Sequence, residues 1–130
     1  MKILIADDDV IPRWFLHTAL LKAGHEVVVA HDGAEAWHLL QRAEAPRLAI
    51  LDWLMPGLDG VEVCRQVRQW DHASYVYLIL LTSKDQQEDI ITGLEAGADD
   101  YLIKPCDQGE ILARVRTGLR SMLLTRELQS

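Results

Sequence analysis

The stretch that decides the fold is KILIADDD, residues 2–9, in which a short apolar run ends abruptly in three carboxylates. The apolar part, residues 2–6, has no polar alternation, which is typical of a strand buried on both faces of a parallel sheet. Asp7, Asp8 and Asp9 do not continue such a strand, because acidic residues are poorly suited to a pleated, buried surface. They place negative charge at the carboxyl end of the strand, where open α/β sheets bind their ligands.

Four more short apolar runs follow along the chain and alternate with stretches of helical period. The predicted strands are residues 2–6, 26–30, 48–51, 76–81 and 101–103. The run at 26–30 is poorer in bulky residues, so we expect it at an edge of the sheet. In the first intervening stretch, apolar residues recur at helical spacing from Ile11 to Ala23, Pro12 lies in the first turn and Gly24 is placed to end the helix. This alternation predicts an α/β fold built from βαβ units around a parallel sheet.

Length and composition fit one globular domain. The chain has 130 residues, of which 49% are hydrophobic and 25% charged, a balance that argues for one packed core and against disorder. Thirteen basic and twenty acidic residues give a formal charge of −7, which predicts no direct binding of nucleic acid or of anionic membranes. Two cysteines without metal-ligand spacing, and no signal-peptide pattern or membrane span at the N-terminus, predict a soluble cytoplasmic protein.

Polar side chains follow four of the five predicted strands and would meet at one edge of a parallel sheet. They are Asp7, Asp8, Asp9, Asp52, Thr82, Ser83 and Lys104. Like charges about 4 Å apart repel by roughly 4 kcal/mol at an effective dielectric constant of about 20, so clustered carboxylates call for a cation. Carboxylate oxygens suit Mg²⁺, whereas no His or Cys has the spacing of a zinc site.

The same residue types suit phosphoryl transfer. A carboxylate can attack phosphorus to form an aspartyl phosphate, a reaction that depends on positioning and on neutralisation of charge. Mg²⁺ held by Asp7, Asp8 and Asp52 would bridge phosphoryl oxygens, while the Lys104 ammonium and the Thr82 hydroxyl would each bind another. The residues alone therefore indicate a magnesium-dependent phosphoryl site.

Four ordered motifs resemble the receiver domain of bacterial two-component response regulators over nearly the whole chain. They are ILIADDD at residues 3–9, LDWLMPGLDG at residues 51–60, LLTSK at residues 80–84 and GADDYLIKP at residues 97–105. The resemblance implies a doubly wound α/β fold with a five-stranded parallel sheet, the flavodoxin-like strand order 2-1-3-4-5 and helices on both faces.

The resemblance also implies a role for each residue of the acidic site. Asp52 would accept a phosphoryl group from the phosphohistidine of a sensor histidine kinase or a histidine phosphotransfer protein. Asp7 and Asp8 would bind Mg²⁺, or Mn²⁺ in its place, together with Asp52 and the backbone carbonyl of Leu54. Lys104 would assist the transfer, and a cis peptide bond before Pro105 would let the lysine point back into the site.

A switch is implied for Thr82 and Tyr101. Thr82 would move toward the phosphoryl oxygens, and Tyr101 would rotate inward to fill the space behind it. The surface formed by the fourth helix, the fifth strand and the fifth helix would change as a result. That surface would then control an output domain or another effector.

The sequence leaves two alternatives open for the oligomeric state and two for the role of the last residues of the chain. Asp100, Glu110 and Arg114 match charged residues through which one branch of the family dimerises, but Ile90 replaces its basic residue, so a homodimer stays one alternative. The fifth helix is predicted over residues 107–128. Residues 1–119 would form the receiver domain, and residues 120–130 would either extend the last helix toward an output domain or end a stand-alone receiver.

Two other functions remain as alternatives. The Asp7-x-Asp9 pattern after the first strand also resembles the nucleophile motif of haloacid-dehalogenase-type phosphohydrolases, with Asp7 as nucleophile. Ile11 does not fit that motif, and Asp52 would have no role in it. A phosphorylation-independent pseudo-receiver would use no nucleophile, although none of the expected site residues is missing. The receiver interpretation predicts a signalling domain that assists its own phosphorylation and dephosphorylation, not an enzyme with a separate substrate.

Overall fold

One sheet of five parallel strands forms the centre of the molecule. The computed structural model describes residues 1–70 and 75–129, with side chains described as far as residue 124. The strands are β1 (Lys2–Ala6), β2 (Glu26–Ala30), β3 (Leu48–Leu51), β4 (Tyr77–Thr82) and β5 (Asp100–Ile103). Their order across the sheet is β2-β1-β3-β4-β5, and every neighbouring pair is parallel. The predicted strand order and the edge position of β2 are therefore confirmed.

Five helices cover the two faces of this sheet. They are α1 (Val10–Lys22), α2 (Gly33–Leu40), α3 (Gly60–Gln69), α4 (Gln87–Glu95) and α5 (Gln108–Gln129). On one face, buried residues of α1 and α5 form a core with β1, β3, β4 and β5, whereas α2 and α3 share the core on the other face. The doubly wound arrangement is thus confirmed. Within residues 1–70 and 75–129, no helix is both long and apolar enough to cross a membrane.

The side chains of β1 alternate between these two cores. Ile3 and Ile5 point to the side of α1 and α5, and Leu4 and Ala6 point to the side of α2 and α3. All four are at most 1% exposed. Because burying one such aliphatic side chain contributes about 1.5–3 kcal/mol, the strand that carries the acidic residues is anchored on both faces.

Aspartates cap four of the five helices, α1, α2, α3 and α5, at the edge of the sheet where the strands end. Oδ1 of Asp9 accepts a hydrogen bond from Ile11 N at 3.3 Å, Asp32 caps α2 in the same way, and Asp59 caps α3. These bonds satisfy backbone donors that have no partner within the helix. Gly24, with φ of +89°, follows the last turn of α1, as its position in the sequence predicts.

The predicted ends of three elements were wrong by one residue: β4 is Tyr77–Thr82 against 76–81, β5 is Asp100–Ile103 against 101–103, and α5 is Gln108–Gln129 against 107–128. β4 ends at Thr82 because the Thr82 carbonyl accepts a hydrogen bond from Lys104 N at 2.9 Å, which continues the pairing with β5. β5 starts at Asp100, opposite Ile79. α5 begins at Gln108 because the carboxylate of Asp107 accepts a hydrogen bond from the Glu110 backbone at 2.8 Å. α5 continues to Gln129, and residue 130 of the predicted extension lies outside the described residues.

Candidate phosphoryl and metal site

The polar residues singled out in the sequence meet at the carboxyl edge of the sheet. Asp7 follows β1, Asp52 follows β3, Thr82 is the last residue of β4, and Lys104 follows β5. β1 and β3 are neighbours in the sheet, and the strand order reverses between them, which is where doubly wound folds bind ligands. Asp7 is 1% exposed, Thr82 is fully buried, and the Asp52 side chain is 12% exposed.

Three carboxylates form an acidic cluster, which consists of Asp7, Asp8 and Asp52. One oxygen of each lies within 4.8 Å of the others, and among the described residues this is the only such group of three possible metal ligands. Asp9 is not a member, because its carboxylate caps α1. Asp9, the second aspartate of the phosphohydrolase pattern, therefore lies outside the acidic cluster. Asp52, which that pattern does not use, lies in it.

Lys104 supplies positive charge beside the acidic cluster. Its Nζ lies 3.1 Å from Oδ2 of Asp7 and 3.4 Å from Oδ2 of Asp52. The peptide bond that joins it to Pro105 is cis. One ammonium does not balance three carboxylates, so the cluster keeps excess negative charge when all three are ionised. That excess, and the all-oxygen donor set, fit a hard divalent cation such as Mg²⁺.

The environment of Asp52 opposes its ionisation. Its pKa is raised to about 6, mainly by burial; the charge of Lys104 lowers the pKa, and the neighbouring charge of Asp7 raises it. The Asp52 carboxylate is thus largely ionised at neutral pH, but at a cost to the folded state. A cation in the acidic cluster would favour the ionised form and offset that cost.

Thr82 and Tyr101 are connected through the backbone of Lys84. The Lys84 N–H donates to Oγ1 of Thr82 at 3.3 Å, and the Tyr101 hydroxyl donates to the Lys84 carbonyl at 2.8 Å. The Tyr101 ring is half-buried and meets the ring of Trp53 edge to face, with centroids 6.4 Å apart. Burial raises the pKa of Tyr101 to about 12, so its hydroxyl stays a donor at neutral pH. Tyr101 is therefore linked to Thr82 through hydrogen bonds to the Lys84 backbone.

Lys84 and Trp53 form a contact that the sequence does not predict. Nζ of Lys84 lies 4.9 Å from the centroid of the Trp53 ring and 3.9 Å from a carboxylate oxygen of Asp89 on α4. Trp53 is the residue after Asp52, and Leu54, which follows it, has an exposed side chain. The loops after β3 and β4 are thus joined by a cation–π contact. No spacing rule in the sequence links residues 53 and 84.

Comparison with known proteins identifies the class. A model of the response regulator receiver domain matches residues 3–116. Transcriptional regulatory protein AfsQ1 of Streptomyces coelicolor is 45% identical over 119 residues, which cover 91% of this chain and 50% of that protein. Response regulator MprA of Mycobacterium avium is 43% identical over 120 residues, which cover 92% of this chain and 51% of that protein. The chain thus spans about half the length of the curated relatives it matches.

Solved structures agree with this assignment. The receiver domain of the Francisella response regulator 1452 superposes with a TM-score of 0.84 at 34% identity, and the match covers 92% of this chain and 97% of that domain. A CheY-like response regulator receiver domain protein from Methanospirillum hungatei JF-1 gives a TM-score of 0.86 at 25% identity, covering 95% of this chain and 97% of that one. The chain belongs to the response regulator receiver domain family of two-component systems. Its class is that of signalling domains and not of ordinary enzymes.

Proposed function

We propose that Asp52 is the phosphoacceptor of this receiver domain and takes its phosphoryl group from the phosphohistidine of a sensor histidine kinase or a histidine phosphotransfer protein. The observation that carries the proposal is the position of Asp52, whose carboxylate lies in the acidic cluster, 3.4 Å from Lys104 and open to solvent over 12% of its side chain. Asp7 is less suited, since it is 1% exposed and so is closed to an incoming phosphoryl group.

The transfer is a displacement at phosphorus. A carboxylate oxygen of Asp52 forms the new P–O bond, the P–N bond of the phosphohistidine breaks, and the imidazole nitrogen keeps the electron pair. Lys104 neutralises negative charge on the phosphoryl oxygens, and the Thr82 hydroxyl donates a hydrogen bond to them. The same groups assist hydrolysis, in which water attacks phosphorus, the bond to the Asp52 oxygen breaks and the carboxylate is regenerated. The domain thus assists its own phosphorylation and dephosphorylation.

Asp7, Asp8 and Asp52 would hold the Mg²⁺ ion, with Mn²⁺ as the alternative and the Leu54 carbonyl as a further ligand. When bound, the ion supplies positive charge to the phosphoryl oxygens. Support comes from the donor set, which is all oxygen and carries more negative charge than Lys104 balances. The buried position of Asp7 fixes one ligand, and the exposed position of Asp8 leaves room for retained waters.

Thr82 and Tyr101 would convert phosphorylation into a change of the surface formed by α4, β5 and α5. The hydrogen bonds through Lys84 join the site to Tyr101, so a displaced Thr82 acts on the loop that holds the Tyr101 hydroxyl. The surface itself exposes three apolar side chains, Ile91, Leu94 and Ile103, which are between 40% and 47% exposed. Exposed apolar groups of this kind suit contact with an output domain or an effector.

The relatives, which are about twice the length of this chain and include transcriptional regulators, support a proposal for its domain arrangement. We propose residues 1–119 as the receiver domain and residues 120–130 as the extension of α5 toward an output domain. A homodimer through the same surface is an alternative, but Arg114 is 3.6 Å from Asp100 of its own chain. A cytoplasmic location, without direct contact of this domain with nucleic acid or membrane, stays a prediction.

The deciding experiment is the intact mass of the protein after incubation with Mg²⁺ and acetyl phosphate, with beryllofluoride as a stable mimic for a short-lived adduct. We expect one phosphoryl adduct on the parent and none on Asp52→Asn. Asp85→Asn is the matched control, because Asp85 is an exposed aspartate outside the acidic cluster, and it should be labelled like the parent.

The alternatives give different results in the same experiment. Release of phosphate that survives Asp52→Asn and is lost in Asp7→Asn would support the phosphohydrolase. Absence of both an adduct and a response to beryllofluoride in the parent would support the pseudo-receiver. Either result would refute the role proposed for Asp52.

A further inference from the structure

Asp7 is held at every polar atom. Its N–H donates to the Ala30 carbonyl at 3.3 Å, Oδ1 accepts from Asp9 N at 2.9 Å, and Oδ2 accepts from Lys104 Nζ at 3.1 Å. The remaining atom, the backbone carbonyl oxygen, accepts a hydrogen bond from Nη1 of Arg13 at 2.9 Å. Ala30 belongs to the sheet, Asp9 caps α1 and Lys104 belongs to the proposed phosphoryl site. Arg13 has no such role.

The Asp7 carbonyl needs a donor from outside the sheet. The pairing of β1 with both neighbours ends at Ala6, whose carbonyl accepts from Asp52 N at 2.9 Å. Asp7 is buried, and a buried carbonyl without a partner loses the stabilisation of water without any compensation. Arg13, half-buried on the first turn of α1, reaches back six residues and provides a charged donor at this position.

The charge of Arg13 also acts on Glu35 of α2. Hydrogen bonds from the side chain and backbone of His31 lower the pKa of Glu35, and the positive charge of Arg13 lowers it further. Glu35 lies on the first turn of α2, and its carboxylate accepts from His31 N at 2.7 Å. The contact that places the Arg13 guanidinium at the acidic loop after β1 is thus its hydrogen bond to the Asp7 carbonyl, and its charge acts in addition on Glu35.

We propose that Arg13 is a positioning residue for the acidic cluster, and that its hydrogen bond to the Asp7 carbonyl fixes the backbone from which Asp7 and Asp8 present their carboxylates to a divalent cation. Arg13 is not a ligand, since a guanidinium has no acceptor and repels a cation. The inference rests on the proposed metal site. It extends that proposal by assigning a role to a residue outside the cluster, on a helix that contributes no ligand.

Charge and position predict opposite effects when Arg13 is replaced. Loss of a positive charge near the site would by itself tighten the binding of Mg²⁺, because the local repulsion decreases. Loss of the positioning bond would weaken it, as removal of the groups that orient metal ligands commonly does by about 10-fold or more. The sign of the change in affinity therefore distinguishes a positioning role from a purely electrostatic one.

The experiment is a calorimetric titration of the parent, Arg13→Met and Arg13→Lys with MgCl₂, with urea denaturation of each in EDTA to confirm folding. We expect Arg13→Met to bind Mg²⁺ about 5- to 20-fold more weakly than the parent, and Arg13→Lys, which keeps a charged donor, to recover most of the affinity. Arg65→Met is the matched control and should bind like the parent, because Arg65 pairs with Glu62 on α3, away from the acidic cluster. Equal or tighter binding by Arg13→Met would overturn the proposal.

A second readout needs no metal. Asp9 N donates to Oδ1 of Asp7, so its amide hydrogen exchange reports the geometry of the loop in the metal-free protein. Exchange of this amide should be faster in Arg13→Met than in the parent, and unchanged exchange would count against the proposal even if the affinity fell. If Arg13→Met binds normally while the parent gains a phosphoryl adduct on Asp52, only the positioning role fails. If the parent binds no Mg²⁺, the metal site and the role of Arg13 in it fail together.

Discussion

Replacing Asp52 by Asn should make the metal-free protein more stable at neutral pH. Burial is the largest cause that raises the pKa of this carboxyl to about 6, from an ordinary value of 3.8. The folded protein therefore binds this proton more tightly than the unfolded chain does, and stability falls as the pH rises from about 4 to about 6. Above that window the full cost is present, and the neutral amide of Asn avoids it.

The size of the effect follows from the rise of the Asp52 pKa from 3.8 to about 6. At about 1.4 kcal/mol per unit, the ionised Asp52 costs the fold at most about 3 kcal/mol, and solvent screening at its open side reduces this toward about 1 kcal/mol. For a chain of this length, each kcal/mol corresponds to about 4 °C in Tm. Asp52→Asn should therefore raise the Tm by about 4–12 °C at pH about 7.5 and by much less at pH about 4.

Urea denaturation followed by circular dichroism in EDTA, at about pH 4 and about pH 7.5, measures this difference directly. Asp85→Asn serves as control, because an exposed carboxylate should change the free energy of unfolding by less than about 0.5 kcal/mol. An Asp52→Asn protein that is no more stable than the parent at the higher pH would show that the attraction of Lys104 outweighs burial. Desolvation would then not be the dominant influence on the ionisation of Asp52.

Two further predictions concern packing, one at the amino ends of β4 and β5 and one behind the Tyr101 ring. Arg68→Met should lower the free energy of unfolding by about 2–4 kcal/mol, because Arg68 donates to the carbonyls of Gly97 and Val76 and to Asp99 at 2.7–2.9 Å. Urea denaturation measures the change, and an effect no larger than that of Arg65→Met would contradict the prediction. Gly93→Ala should cost about 1–2 kcal/mol and shift the NMR signals of the Tyr101 ring, since a Cβ would lie 2.9 Å from that ring. Gly109→Ala, which meets only a side-chain oxygen at 3.3 Å, should leave both unchanged.

The strands were the part of the fold that the sequence predicted best. A strand buried on both faces must be apolar throughout, so runs such as those of β1 and β3 are visible without any knowledge of their neighbours. The order of the strands could not be predicted from burial, because several strand orders bury the same residues equally well. It came from the four motifs, whose spacing resembles that of receiver domains. Element ends were less accurate, since the cap at Asp107 and the pairing of Thr82 depend on single hydrogen bonds.

The polar residues of the site were predictable for a similar reason. Asp7, Asp52 and Lys104 each come directly after a strand, so the parallel sheet alone brings them to one edge. Contacts made by long side chains of helix and loop residues were not predictable. Arg13 reaches the Asp7 carbonyl and Lys84 reaches the Trp53 ring only because neighbouring loops pack in one particular way, and no periodicity in the sequence encodes that distance.

The acidic cluster concentrates an electrostatic cost at one edge of an otherwise apolar molecule. Three carboxylates lie within 4.8 Å of one another beside a single ammonium, and one of them, Asp7, is 1% exposed. The two cores that flank the sheet tolerate this cost because β1 is anchored on both of its faces. A fold selected for stability alone would neutralise one of these charges, as Asp52→Asn does. All three carboxylates together form the all-oxygen donor set that the proposed cation and the proposed phosphoryl chemistry at Asp52 require.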